Sequence, residues 1–286
     1  MPQSCSAFLR GLMAAKLLMF FVFCLFVVLP FGLAQTSESE LELGIAAYKN
    51  NQYKEAISHF EKAVGLDSTN PRARMYLATA YVTQYIPGID TDDNTSLAES
   101  AITQYQRVLD LSADTAQRST AAKGIAYLYL NLKKWDEARK YYQIASAADS
   151  GDPEPYYYIG VIDWSQCYQP RMEARAQLGM HPDEHLSSKQ PDQKRVCDEL
   201  QAKNWTVIED GISKLGKAIQ IRPDYDDAMA YMNLMYRERA DLECSDPAAR
   251  SRDLKTADKW VDKVMAMKKQ RMEKDQASES TAPNPQ

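Results

Sequence analysis

The string His181-Pro182-Asp183-Glu184-His185 matches the H-x-x-E-H pattern with which one class of metalloprotease holds zinc. That chemistry needs a helix to present both imidazoles, a third protein ligand and an open position for water. Pro182 and the preceding Gly179 argue for a loop instead, and the only other histidine is His59. A chance string in a loop is the favoured reading, and a metal-dependent hydrolase is the alternative. The segment Asp90-Thr91-Asp92-Asp93-Asn94 opens like a calcium loop, but Thr95 stands where such a loop needs glycine and Ala101 where it needs the closing glutamate. It reads as a solvated acidic turn. No nucleotide-binding glycine loop or nucleophile elbow is visible, and three histidines supply a Ser-His-Asp or Cys-His set poorly. The reading is therefore non-catalytic, with no cofactor and no metal site.

The composition sets the frame around these residues. Lys plus Arg is 34 and Asp plus Glu is 39, a net charge of −5, which lacks the electrostatic footprint of a nucleic-acid binder. With 45% hydrophobic and 26% charged residues the body of the chain folds. Eleven Gly and thirteen Pro are few for 286 residues, which favours helices over a turn-rich sandwich or barrel.

Arg10 and Lys16 are the only charged side chains before Glu38. Between them and Glu38 lies an apolar run, Leu17 to Ala34, that Pro30 interrupts before Gly32 and Ala34. An apolar core with a small-residue exit reads as a secretory signal peptide over residues 1–34, leaving Gln35 first in the mature chain. The competing reading is an uncleaved anchor, because these 18 residues approach the ~17–25 needed to span a bilayer. In both readings the basic N-terminus stays cytoplasmic and the body is exported, to the periplasm or beyond. Any membrane contact then runs through residues 17–34 alone. Cys24 follows Phe21, Val22 and Phe23 rather than small residues, which argues against a lipoprotein.

An internal repeat accounts for most of the chain after this segment. A small residue, a bulky one four later and a small or branched one seven later recur five times. They are Ala56/Phe60/Ala63, Ala101/Tyr105/Val108, Ala138/Tyr142/Ala145, Gly211/Leu215/Ala218 and Ala257/Val261/Val264. Offsets of four and seven share one helical face. A second helix precedes each, marked by Leu43-Gly44, Leu77-Ala78, Ile125-Ala126, Ile159-Gly160 and a degenerate Met232-Asn233. Small residues on both members let paired helices approach at the short end of the ~8–10 Å range. Small-to-small spacing is 12 in the first and third copies and 23, 51 and 24 in the others, so three insertions fall at the turn inside a pair. Asp152-Pro153 and Asp246-Pro247 are N-cap and first-turn signals, Pro223 stops a helix after Ile221, and Ser96-Leu97-Ala98-Glu99 has the form of a capping box.

Leu43 to Pro71, with Gly44, Tyr53, Ala56, Phe60 and Ala63, resembles a tetratricopeptide repeat, and Ala122 to Ser150 carries the same roles on Ala126, Trp135, Ala138, Tyr142 and Ala145. The resemblance implies an all-α solenoid, a right-handed superhelix of about five antiparallel pairs over residues 35–270. The repeats run approximately 37–70, 71–118, 119–152, 153–225 and 226–270, with the insertions on one edge. Residues 271–286 have no apolar periodicity and read as a disordered tail. In this family the first helix of each pair lines a concave groove. Mapping that face gives Leu41, Ile45, Tyr48 and Lys49, then Arg72, Met75, Thr79 and Val82, then Lys123, Tyr127 and Asn131. Tyr157, Val161 and Trp164, then Leu234 and Arg237, complete it. Such a groove suits an amphipathic or extended peptide of another protein, with Tyr127, Tyr157 and Trp164 as its main contacts.

Signal removal leaves Cys167, Cys197 and Cys244 in an oxidising compartment, where pairing is expected. Cys197 lies 14 residues before Gly211, ~21 Å along its helix, whereas Cys167 rises only ~10 Å beyond Gly160 toward the same edge. A straight pair holds those two ~10 Å apart in height, beyond the ~4.4–6.8 Å a disulfide spans between Cα atoms. Cys244, ~16 Å past Asn233 in a loop, is the better match for Cys197. Three unpaired thiols are the alternative. Peptide mapping of non-reduced mature protein is expected to return a Cys197–Cys244 cross-link with Cys167 alkylatable, and a bridge containing Cys167 would refute the pairing.

Overall fold

The computed structural model describes residues 35–281, and over these it forms ten α-helices and no strand. Residues 1–34, to which the export reading applies, lie outside the described residues, as do 282–286. Among the described helices none is long and apolar enough to cross a membrane. The helices are α1 (Ser37–Lys49), α2 (Tyr53–Leu66), α3 (Pro71–Gln84), α4 (Asp92–Leu111) and α5 (Thr115–Asn131). They continue with α6 (Trp135–Ala148), α7 (Pro153–Gln177), α8 (Pro191–Ile221), α9 (Asp226–Leu242) and α10 (Pro247–Thr281). Each packs mainly on the helices before and after it, with added contacts between α1 and α3 and between α7 and α9. The result is an all-α solenoid of five helix pairs.

Local chemistry sets the element ends. Asn70 accepts from the N–H groups of Arg72 and Ala73, Asp152 from Glu154, and Asp246 from Ala248 and Ala249, each followed directly by proline. These caps satisfy donors that a helix start leaves orphaned. The two turns without insertions each use a residue in the left-handed region, Asn51 at φ 60° and Lys133 at φ 57°. The same position in the first and third pairs thus absorbs the reversal.

Two boundaries differ from expectation. The segment 96–99 does not open a helix; α4 starts at Asp92, with the Thr91 hydroxyl capping the Asn94 N–H. Asp92 and Asp93 then occupy the first turn, where a negative charge is favoured, so the acidic segment is a helix start and not a free turn. Asn94 is buried and fastens the loop before it, accepting from the Ile86 N–H and donating to the carbonyls of Ile86 and Ile89. At the other end α10 runs to Thr281, through the residues read as a disordered tail. Glu273, Lys274, Gln276 and Ala277 are good helix formers, with no proline before position 283. Arg271 also ties α10 to the start of α9, donating to Asp226 and to the Asp224 carbonyl.

Small residues seat large ones between the helices. A Cβ on Gly44 would lie 2.5 Å from the Phe60 ring, on Gly124 2.5 Å from Tyr105, and on Gly160 2.5 Å from Leu215 Cγ. Gly211 accepts the Met235 side chain of α9 in the same way. Ala56, Phe60, Ala63, Ala101, Tyr105, Val108, Ala138, Tyr142, Ala145, Leu215 and Ala218 are all buried. Of the last triplet only Ala257 is; Val261 is 40% exposed, because among the described residues no further helix pair covers that side of α10. The long insertion of the fourth pair becomes extra turns of α7 and α8, with Leu186 of the connecting loop buried. Gly160→Leu is expected to cost about 1–3 kcal/mol by overpacking against Leu215. Gly65→Ala, which meets nothing within 4 Å inside α2, should instead gain roughly 0.5–1 kcal/mol. Urea denaturation of both variants checks the register.

Candidate functional site

The residues expected on the concave face fall into groups that differ in what holds them. Leu41 and Ile45 are not on it: they are 0% and 9% exposed, in the cluster built around Phe60 and Leu77. No pair precedes α1 among the described residues, so its apolar stripe turns wholly toward α2 and α3. Tyr48, Met75, Tyr157 and Trp164 are half-buried, while Lys49 and Tyr127 are exposed, Tyr127 by 37%. The Tyr48 hydroxyl bonds that of Thr83 at 2.8 Å, and Asn131 donates to the Tyr127 carbonyl one turn back.

Three cations expected to face a ligand instead pair with acids on other helices of the chain. Arg72 reaches Glu38 at 2.6 Å and Glu42 at 3.1 Å on α1. Lys123 meets Asp152 and Glu154 at 2.8 and 3.0 Å, where α7 begins, and Arg237 meets Asp258 of α10 at 2.8 Å. Half-exposed pairs like these contribute ~1 kcal/mol or less each, so their main effect is to fix orientation and occupy the charges.

The aromatic residues pack on one another instead. Tyr231 of α9 sits edge-on to Tyr157 and to Trp164 of α7, at 5.7 and 5.5 Å between centroids, and Trp164 stacks on Tyr168 at 4.8 Å. Four half-buried rings thus bridge two consecutive first helices. Tyr168 and Tyr231 were missed from the sequence, although Trp164 and Tyr168 have the one-turn spacing that marks a shared face.

Beyond the rings lies a buried ion network that the sequence reading also missed. Arg171 grips Glu238 with two bonds of 2.7 Å and reaches Asp241 at 3.2 Å. Arg175 meets Asp241 at 3.0 Å and donates to the Pro182 carbonyl at 2.8 Å. Arg171, Arg175 and Glu238 are each at most 6% exposed. Burial pushes the Glu238 pKa up, and the Arg171 guanidinium opposes that. The available signal was a pair of arginines one turn apart on α7 facing acids at 238 and 241 on α9.

The H-x-x-E-H string lies in the loop between α7 and α8, with both histidines exposed. Glu184 accepts from the backbone N–H of His181 at 3.0 Å, so the string closes a turn on itself instead of presenting two imidazoles from one helix. Among the described residues no group of three His, Cys, Asp or Glu is placed to hold a metal ion. Cys197 of α8 and Cys244, just past α9, are joined by a disulfide with Cα atoms 6.5 Å apart. Cys167 is free and buried, its sulfur 4.0 Å from the Asn204 carbonyl, seven residues along α8 from Cys197.

The family model described as tetratricopeptide repeat matches residues 41–84 and 96–153. A crystal structure of MamA protein superposes with a TM-score of 0.54 at 14% identity, covering 87% of this chain and 98% of that one. A MamA structure from Desulfovibrio magneticus RS-1, starting at its residue 41, gives 0.51 at 15% identity, over 82% and 96%. At these identities the likeness is one of fold. The chain is 28% identical over 113 residues to a protein STIP1 homolog of Dictyostelium discoideum. That match takes in 40% of this chain and about a fifth (19%) of the relative's length.

Asp163 of α7 is fully buried and faces α6 and α8. Its Oδ1 accepts from Arg139 Nε of α6 at 2.8 Å, and Arg139 also holds Asp210 of α8, which Lys214 approaches at 3.6 Å. Its Oδ2 has no protein partner, and burial pushes its pKa up to about 6 despite Arg139. A carboxyl whose folded pKa exceeds its unfolded value of ~3.9 stabilises the fold fully only below that value. The contribution disappears as pH rises through about 6, a difference on the order of 3 kcal/mol. Thermal unfolding between pH 4 and 7 is expected to show this loss, and Asp163→Asn should flatten the profile across that window.

Proposed function

We propose that this chain, a tetratricopeptide repeat protein, is an exported, non-catalytic scaffold that holds another polypeptide along its concave face. The observation that carries the proposal is the run of half-buried rings from Tyr157 through Tyr231 and Trp164 to Tyr168. Tyr and Trp there offer large apolar area at low entropic cost while keeping a polar edge, the combination that dominates binding hot spots. Arg72, Lys123 and Arg237 are already paired within the chain, so an extended or amphipathic segment with apolar anchors fits better than a strongly acidic one. Export is supported by the apolar segment before Gln35 and by the Cys197–Cys244 bridge, a linkage that persists in oxidising compartments.

Tyr127→Ala and Trp164→Ala test this reading with little risk to the core, since neither residue is fully buried. In affinity capture from envelope extracts, both variants are expected to lose a partner that the unaltered mature chain retains. The stronger of the two should lose about 2 kcal/mol or more, roughly thirtyfold in Kd. Unchanged capture with an unchanged melting temperature would place the binding surface elsewhere.

A further inference from the structure

The two ends of the solenoid are finished differently. Of the large apolar side chains on α1, Leu43 alone is exposed. At the other end α10 packs chiefly on α9 and turns Trp260, Val264 and Met267 against the core there. A second stripe of α10 has no cover among the described residues: Val261 is 40% exposed, Met265 62% and Met272 58%. Offsets of four and eleven place these three along one line of the helix surface, about 16 Å long at ~1.5 Å per residue. Single exposed apolar residues are ordinary, but a terminal repeat needs a polar outer face for solubility, so an apolar stripe here calls for a partner.

The charges beside the stripe are ordered along it. Asp262 precedes Met265, and Lys268 and Lys269 follow it, all exposed. The ion pairs of α10 use Asp253, Asp258, Arg271 and the exposed Lys269–Glu273 pair at 3.8 Å; Asp262 and Lys268 take part in none among the described residues. By helical periodicity Asp262 and Lys269 fall on one flank of the stripe and Lys268 on the other. A twofold axis between antiparallel helices brings the same flank of each copy together, with the order along it reversed. An axis between Met265 and Ala266 therefore sets Asp262 opposite Lys269 of a second copy, and Lys269 opposite the second copy's Asp262. Val261 and Met272 of the two copies then approach across the seam. A parallel pair would instead lay Lys268 beside Lys269 of the other copy.

We propose that α10 pairs with the α10 of a second copy of this chain, antiparallel about Met265 and closed by two Asp262–Lys269 contacts. The interface is isologous, so assembly stops at a dimer instead of extending into a fibre. A seam of one helix per copy is small for a specific interface, so association is weak and reversible. The groove was mapped on the first helices of the pairs, whereas α10 is a second helix, so the proposal stands or falls separately from the scaffold reading.

Sedimentation equilibrium of the mature chain over about 1–300 μM, a range that brackets a micromolar Kd, tests it. The mass is expected to rise from one chain to two, with Kd raised about tenfold or more by Met265→Glu, by Asp262→Lys and by Lys269→Asp. All three positions are exposed, so the variants keep the fold, which their melting curves verify. An equimolar mixture of Asp262→Lys and Lys269→Asp is expected to regain the two-chain mass, because each charge meets its opposite in the mixed pair. One-chain mass throughout overturns the proposal and leaves the stripe to a helix of another protein. Dimers indifferent to Met265→Glu, or a mixture no better associated than its components, overturn it as well.

Discussion

Close approach of neighbouring helices is the constraint on which the rest of the molecule depends, and it is set by side chains that are missing. Gly44, Gly124, Gly160 and Gly211 each leave space that a ring or aliphatic chain of a neighbouring helix fills, where a single Cβ would stand 2.3–2.5 Å from its nearest atom. Because interiors are packed to crystal-like density, such a seat fixes separation and register together. Each helix then meets chiefly its two sequence neighbours. Stability is thus close to a sum of nearest-neighbour terms, and the chain can lengthen individual helices without disturbing distant ones.

The fourth pair uses that freedom. Its helices reach 25 and 31 residues and carry the longest insertion as added turns. Added turns project beyond the regular stack and would be poorly covered, and two devices hold them. The Cys197–Cys244 bridge ties the projecting start of α8 to the end of α9, and Arg171 and Arg175 of α7 lock onto Glu238 and Asp241 of α9. A buried pair of this kind contributes little net stability over apolar packing, yet removing one partner costs ~3–5 kcal/mol, so it sets geometry rather than strength. The rings of Tyr157, Trp164, Tyr168 and Tyr231 sit on the framework these ties create.

Ion pairing also decides what the concave face offers. Arg72, Lys123 and Arg237 are residues that the repeat pattern assigns to a binding surface, but each has an acid of another helix within 3.1 Å. The exposed charge of the face is lower than its composition implies, and its aromatic area matters correspondingly more.

By itself the sequence determined the helix pairs, the places where the insertions interrupt them and most of the core, because those signals are local. Small-large-small triplets at offsets of four and seven, and caps such as Asp152-Pro153, act within a turn or two. The reading failed locally only where two signals competed, as at Thr91 against Ser96, or where helix propensity outlasted apolar periodicity, as after Met272. Only the tertiary structure decided which cations are engaged and that Leu41 and Ile45 face inward. The pairings among them join distant residues, Arg237 with Asp258 21 positions apart and Arg171 with Glu238 67 apart. Helical periodicity states which face a side chain occupies but not what a neighbouring helix, rotated by its own packing, brings opposite it.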